Sequence, residues 1–227
     1  MRVASVNVRR GLRNPDRHAG LERWVGRWAP DVLFLQEAVH SADLPPKVGG
    51  LRLLGGTASS ACYGAIEGRV TTLDADGRII RVEADGLLAV GCYFPHERSA
   101  ARRRLFDLLS VSAAGADLIC GDFNMAPREQ DGMFGDSPSK WTGRLERRAL
   151  ETMFVALDLV DATAGEPAEP TFIQQRGAAS IRFRCDLALV RRGTVSQVAV
   201  DHDTRIGPTA FTDHSGLIAD LTRPNAA

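Results

Sequence analysis

Short apolar runs, each stopped by an acid, an amide or a glycine, recur along the chain: "RVASVN", "DVLFLQE", "LLAVGCYF", "ADLICGDFN", "CDLALV" and "SGLIADL". Runs of this length read as strands, since helices need longer periodic stretches. "LRLLGG", "CYGAIEGRVTTL", "GRIIRVEA", "PTFIQ", "FRCDLALVRR" and "VSQVAVD" add further strands, with "DADG" as a hairpin turn and "GDSPSKWTG" as a surface loop. Three stretches have helical spacing instead. "PDRHAGLERWVGRWAP" sets Leu21, Trp24, Val25 and Trp28 on one face between prolines. "ERSAARRRLFDLLSVSAAG" closes on a glycine, and "GRLERRALETMFVALDLVDA" aligns Leu145, Ala149, Met153 and Leu157. Hairpins exclude a purely parallel sheet, and the strands are too many for one flat sheet. The expectation is two sheets face to face with helices outside, in a single domain over residues 1–227.

A globule of 227 residues can bury roughly 70% of its unfolded surface, so its core needs no staples. The 28 basic and 28 acidic side chains cancel, which leaves no global field toward nucleic acid, membranes or acidic ligands. Lys47 and Lys140 are the only lysines; the remaining basic residues are arginines, suited to bidentate phosphate contacts. Cys62, Cys92, Cys120 and Cys185 lack zinc-site spacing and read as buried free thiols in a reducing compartment. The N-terminus resembles neither a signal nor a transit peptide, and no apolar run approaches the ~20 residues of a membrane helix. These features predict a cytoplasmic protein with no membrane contact and no need for a protein partner.

Polar side chains collect where the strands stop. Asn7 closes the first and Glu37 the second; Tyr93 lies near the end of "LLAVGCYF", and Asp122 and Asn124 end "ADLICGDFN". Asp186 opens "DLALV", and Asp213 and His214 precede "SGLIADL". Residues two apart on a strand project to one side, so Asp122 and Asn124 can share a pocket. Any one of them alone reads as a turn cap. Several together, on independent strand ends, point to a common site.

The blocks "SVNVRRGLR", "DVLFLQEA", "YFPH", "GDFNMAP", "RFRCDLALV" and "TDHSGL" follow one another in order. In this the chain resembles the endonuclease/exonuclease/phosphatase superfamily, and is most like its exonuclease III and apurinic/apyrimidinic endonuclease branch. The resemblance implies an α/β fold, a four-layer sandwich of two mixed β-sheets flanked by helices. It also implies Mg2+ or Mn2+ as cofactor, held mainly by Glu37 with Asn7 close by and Asp213 in the shell. Asp122 would orient and deprotonate the attacking water and Asn124 would position it or the phosphate. His214, its ring held by Asp186, would donate to a phosphate oxygen, and Tyr93 would be another donor.

The sequence departs from the branch at three of these blocks. Arg9 stands where an Asn or Asp is usual, His96 where an Asn often sits, and Cys185 where an aliphatic residue precedes the acid. Arg176, Arg182, Arg184, Arg191 and Arg192 crowd the sequence around Asp186, interleaved with Phe172 and Phe183. Arginines with aromatics form a candidate nucleic-acid surface, with Arg182, Arg184 and His96 on the phosphate backbone and Phe172 and Phe183 beside a sugar. The expected partner is therefore DNA, a duplex with an abasic or 3′ lesion. The expected activity is a phosphodiesterase of the abasic-endonuclease or 3′-exonuclease kind. Two alternatives stand beside it: a phosphatase or phosphodiesterase acting on a small-molecule or lipid phosphate ester, and a catalytically silent binding module.

Overall fold

A computed structural model describes residues 1–39, 43–96, 100–165 and 169–222. The chain begins with β1 (Arg2–Asn7), α1 (Pro15–Trp28), β2 (Val32–Gln36), β3 (Lys47–Val48), β4 (Leu51–Gly56) and β5 (Ser60–Gly64). Next come β6 (Arg69–Thr72), β7 (Ile79–Ala84), β8 (Leu87–Tyr93), α2 (Ala100–Ser112) and β9 (Leu118–Asp122). β10 (Gly132–Phe134), β11 (Ser137–Pro138), α3 (Arg144–Leu157), β12 (Leu159–Asp161), β13 (Phe172–Arg176) and β14 (Ala179–Phe183) follow. β15 (Asp186–Arg191), β16 (Val195–Asp201) and β17 (Gly216–Leu221) complete the described part.

Two mixed sheets form the frame. One has the order β16-β17-β1-β2-β5-β4-β3, the other β12-β15-β9-β8-β7-β6. β1 and β2 run parallel in the first, β8 and β9 in the second. Alternation along each strand sorts its side chains into layers. Val3, Val32, Phe34, Cys62, Ala89, Leu118 and Cys120 pack between the sheets. Ala4, Leu33 and Leu35 face outward onto Leu21, Trp24 and Val25 of α1. Val90, Ile119 and Leu187 face the other way, onto Leu105, Leu109, Leu150 and Met153 of α2 and α3. The central strands β1, β2, β8 and β9 are buried at nearly every position because both of their faces are covered. The result is the expected four-layer α/β sandwich.

The helices stop for local reasons. The side chain of Asn14 accepts from Arg17 N at 3.1 Å and Pro15 occupies the first turn, while Ala29 turns left-handed (φ 44°) to end α1. Trp24 Nε1 and Trp28 Nε1 both donate to Asp201 Oδ2, at 2.9 and 2.6 Å, tying α1 to the end of β16. All four cysteines are free and buried, as expected.

The structure differs from the sequence reading in several elements. "CYGAIEGRVTTL" is two strands, not one, since the chain crosses from the first sheet to the second between Gly64 and Arg69. "FRCDLALVRR" likewise breaks at Arg184–Cys185: Phe183 ends β14, in a third sheet of order β11-β10-β14-β13, and Asp186 starts β15. The loop "GDSPSKWTG" contributes Ser137–Pro138 to that third sheet. In α3 the buried face is Leu150, Met153 and Leu157, whereas Leu145, in the first turn, is 74% exposed. Asp158 (φ 53°) ends this helix, and the following "LVD" is strand β12. Residues 97–99, read as the start of the second helix, lie outside the described residues.

Candidate active site

Strand direction brings the polar residues together. β1 and β2 are parallel neighbours, with Asn7 opposite Gln36 and Glu37 one residue on; β8 and β9 are parallel neighbours with Tyr93 opposite Asp122. All four therefore emerge at the carboxyl ends of their strands. β15 runs antiparallel to β9, so its first residue, Asp186, lies opposite Asp122. His214 precedes β17, which is antiparallel to β1, and thus reaches the same end. Gly121 allows β9 to approach β8: a Cβ there would fall 2.0 Å from the Cys92 carbonyl oxygen. Glu37 (φ 48°) and Asn124 (φ 49°) leave their strands in the left-handed region, as do Arg9 (49°) and Arg10 (60°). Such backbone costs of order 1–3 kcal/mol per residue and persists where surrounding contacts over-determine it.

Hydrogen bonds join these side chains across the gap between the sheets. Asn7 Nδ2 donates to Asp122 Oδ2 at 2.9 Å and to Glu37 Oε1 at 3.2 Å. Tyr93 Oη donates to Glu37 Oε1 at 3.0 Å. Asn124 donates through its backbone N to Asp122 Oδ1 at 2.8 Å and through Nδ2 to Phe94 O at 2.9 Å. His214 Nδ1 faces both carboxylate oxygens of Asp186, at 3.0 and 3.2 Å. Arg9 Nη1 donates to Asp213 Oδ2 at 2.7 Å, and Arg9 N to Asn7 Oδ1 at 2.9 Å.

Burial sets the protonation states. It pushes the Asp122 carboxyl up to about 7, with Asp186 adding to the rise and His214 and the Asn7 hydrogen bond opposing it. Burial alone would lower His214, but the Asp186 carboxylate outweighs it and lifts the imidazole to about 10. At neutral pH His214 is a cation with Nε2–H as its remaining donor. Burial also raises the Tyr93 phenol and the Cys185 thiol, so both keep their protons.

Glu37, Asn7 and Asp213 suit a hard divalent ion, since all three offer oxygen. Asp213 Oδ1 is buried and has no hydrogen-bond partner among the described residues. A second group, Asp122, Cys185, Asp186 and His214, brings one potential ligand atom each to within 4.8 Å of one another. Its sulfur and imidazole both hold protons, and a metal ligand must lose them.

Beside His214 and Asn124 opens a cavity of about 320 Å³, lined also by His96, Trp141, Phe134, Phe172, Phe183 and Cys185. The Phe172 and His214 rings lie 4.8 Å apart, and Phe183 lies over Gly132, where a Cβ would come within 2.8 Å of its ring. Phe172, Phe183 and His96 are thus at the site. The arginines are not gathered around Asp186. Arg182 and Arg184 alternate with Phe183 on β14 and its continuation, so they point away from the cavity. Arg184 is 2% exposed, with Asp161 Oδ2 and Asp131 Oδ2 each at 2.7 Å. Despite burial, Arg128 and Arg184 hold the Asp131 carboxyl below its ordinary value. Arg182 donates to Gly135 O at 2.9 Å. Arg191 sits at the far end of β15 beside Asp117, and only Arg176 lines the cavity.

Three contributors escape a sequence reading. Arg102, fully buried on α2, donates to Pro95 O, His96 O and Asn124 O at 2.7, 2.8 and 3.2 Å, and pairs with Glu146 at 2.9 Å. It fixes both loops that border the site. Thr171 Oγ1 accepts from Cys185 N and Asp186 N at 3.1 and 3.0 Å, while its carbonyl accepts from Ser215 N at 2.7 Å. The backbones of Asp186 and of Ser215, next to His214, thereby hang on one residue. Trp141 reaches the cavity from what reads as a loop; the tryptophan in "GDSPSKWTG" is the only signal.

A mixed two-sheet sandwich with helices on both outer faces, and acids, amides and a histidine at its strand ends, defines the class. The chain belongs to the Endonuclease/Exonuclease/phosphatase family, whose model matches residues 4–214. This is a family of divalent-metal-dependent nucleases and phosphatases. Among solved structures, the 3′ phosphatase NExo from Neisseria, bound to a product DNA hairpin, is similar with TM-score 0.78 and 20% identity, over 98% of this chain and 100% of that one. An AP endonuclease from Archaeoglobus fulgidus has TM-score 0.77 and 21% identity, over the same shares. The endonuclease domain of a telomere-specific non-LTR retrotransposon has TM-score 0.68 and 14% identity, over 98% of each chain. No curated protein sequence matches the chain. Among the described residues no helix is long and apolar enough to cross a membrane.

Proposed function

We propose that the chain, acting as one domain over residues 1–227, is a metal-dependent phosphodiesterase of DNA repair that cleaves a strand at a 3′ end or an abasic site. The observation that carries this is the cluster of Asp122, Asn124, Asp186 and His214 with Glu37 and Asn7 at the strand ends, with Asn124 and His214 lining a cavity. Similarity to a 3′ phosphatase bound to a product DNA hairpin and to an AP endonuclease supports DNA as the substrate.

An Mg2+ or Mn2+ ion held by Glu37, Asp213 and Asn7 would supply positive charge to the phosphate oxygens. Asp122, poised near neutrality, takes a proton from the attacking water; a base works best with a pKa near the working pH. Asn7 and the backbone N of Asn124 bind its two oxygens and fix their direction. The water oxygen bonds to phosphorus and the bond to the ester oxygen on the opposite side breaks. That oxygen leaves as an alcohol after taking a proton from solvent, and Asp122 later returns its own proton to solvent. His214 Nε2–H donates to a non-bridging oxygen as negative charge builds there. Tyr93 acts through Glu37, which it orients.

The inward commitment of Arg182 and Arg184, together with zero net charge, favours a second reading, a phosphatase acting on a small phosphate ester. An assay in Mg2+ with abasic duplex, recessed 3′ ends, 3′-phosphorylated DNA and a short phosphodiester separates the two. Hydrolysis of the DNA substrates well above the short diester is expected. The reverse order would replace the first reading with the second.

A further inference from the structure

The cavity continues well beyond the catalytic residues, and its far part has a regular construction. On β13, Phe172, Gln174 and Arg176 share one face; on β14, Phe183, Ile181 and Ala179 lie opposite them in register. β10 extends the rows with Gly132 opposite Phe183 and Phe134 opposite Ile181. The sheet therefore presents three steps. The first, Phe172 and Phe183, adjoins His214. The second, Gln174, Ile181 and Phe134, lies roughly 7 Å further along the strands. The third ends on exposed Arg176. Trp141 and His96 stand across the cavity with parallel rings, centroids 6.3 Å apart and planes 8° from each other. Trp141 is 43% and Phe134 51% exposed, although both are large and apolar.

We infer that the second step, with Trp141, is a stacking platform for a nucleobase, and that the preferred substrate carries an unpaired, base-bearing nucleotide next to the phosphate being cleaved. The inference rests on the proposed phosphodiesterase function, because it takes the phosphate to lie at His214. A sugar on Phe172 and Phe183 then puts its base one step outward, against Phe134 and Trp141. Aromatic faces there bind any base, since every base has a π-face. The Gln174 amide lies within the same step to meet the base edge, and Arg176 to meet the next phosphate. A base-less sugar would fill only the first step. The volume of about 320 Å³ falls at the lower end of the roughly 300–1,000 Å³ of pockets that enclose a drug-sized ligand, which is the size of a nucleoside.

Two measurements test this. Tryptophan fluorescence of the metal-free protein is titrated with deoxyadenosine 5′-monophosphate and, as the base-less control, deoxyribose 5-phosphate. Saturable quenching by the nucleotide alone, lost in Trp141→Ala, is expected; Trp24 and Trp28 are held on α1 by Asp201. Equal quenching by both compounds, or quenching that survives Trp141→Ala, would overturn the inference. The second is kcat/KM in Mg2+ on a duplex ending in an unpaired 3′ nucleotide, against the same duplex ending in an abasic residue. The ratio should favour the base-bearing end and fall roughly ten- to hundredfold in Trp141→Ala, and also fall in Phe134→Ala. An unchanged ratio in both variants would sink the platform. Nucleotide quenching without hydrolysis of any DNA substrate would instead remove the phosphodiesterase reading and leave the base site standing.

Discussion

Arg9 closes an ion pair on Asp213, with Nη1 2.7 Å from Oδ2, and so places a fixed positive charge beside the acids proposed to hold the metal. Arg9, one of the residues that depart from the nuclease pattern, thus takes up one oxygen of an acid proposed as a metal ligand and leaves Oδ1 available. Removing the cation should strengthen metal binding. Arg9 is half exposed, and exposed pairs are worth up to about 1 kcal/mol. Arg9→Ala should therefore lower the Mg2+ needed for half-maximal activity about two- to fivefold. A Mg2+ titration of both proteins checks this, and a raised requirement would contradict it.

Glu37→Gln should act in the opposite direction. It removes the charge of the main proposed ligand but keeps its shape and its place beside Tyr93 and Asn7. Activity should fall steeply and recover in part at high Mg2+ or Mn2+. Full wild-type activity in excess EDTA would rule out the metal requirement itself.

His214 carries the pH prediction. Its folded value, about 10, is raised above the ordinary 6.5 chiefly by Asp186, against the effect of burial. The stability it contributes is therefore complete below pH 6.5 and is lost as pH rises through 10. Its ring should still be doubly protonated at pH 8, observable by nitrogen NMR, and Asp186→Asn should bring that titration down toward neutrality. A neutral His214 ring at pH 7 in the native protein would refute the assignment.

Asp122 and His214 should behave as one unit. Asp122→Asn keeps the side-chain volume and should cost about 10²–10⁴-fold in turnover. Combined with His214→Asn, the loss should be far less than the product of the single losses, as for groups that act together. Steady-state kinetics of the two single variants and the double variant decides it.

Buried and exposed arginines should separate cleanly. Arg102→Met removes a buried cation from Glu146 Oε1 and a shared donor from the carbonyls of Pro95, His96 and Asn124, and should destabilise the protein by about 3–5 kcal/mol in urea unfolding. Arg184→Ala, which removes one of two arginines from Asp131 and the arginine from Asp161 Oδ2, should likewise lower stability and leave the salt dependence of DNA binding unchanged. Arg176→Ala should do the reverse, with the slope of log K against log salt becoming shallower by about 0.9.

Local chemistry made much of this protein legible in its sequence. The proline and asparagine that start α1, the apolar spacing on its face, the strand ends at Asn7, Glu37 and Asp122, and the ordered family blocks all depend on neighbours a few residues away. Together with the family resemblance they pointed to the fold class and to most residues of the candidate site. What only the tertiary structure decided depends on contacts between distant segments. Asn7 and Asp122 are 115 residues apart, and no local signal states that their side chains meet. The break at Arg184–Cys185 belongs to the same kind. Whether Arg184 or Phe183 faces the cavity turns on which face of β14 is covered, and a shift of one residue exchanges the two. Sequence crowding put five arginines around Asp186, but the pleat sent Arg182 and Arg184 to the opposite face and the length of β15 carried Arg191 away. Arg102 and Thr171 were silent for a related reason: their partners are mostly backbone atoms of loops that only packing brings near.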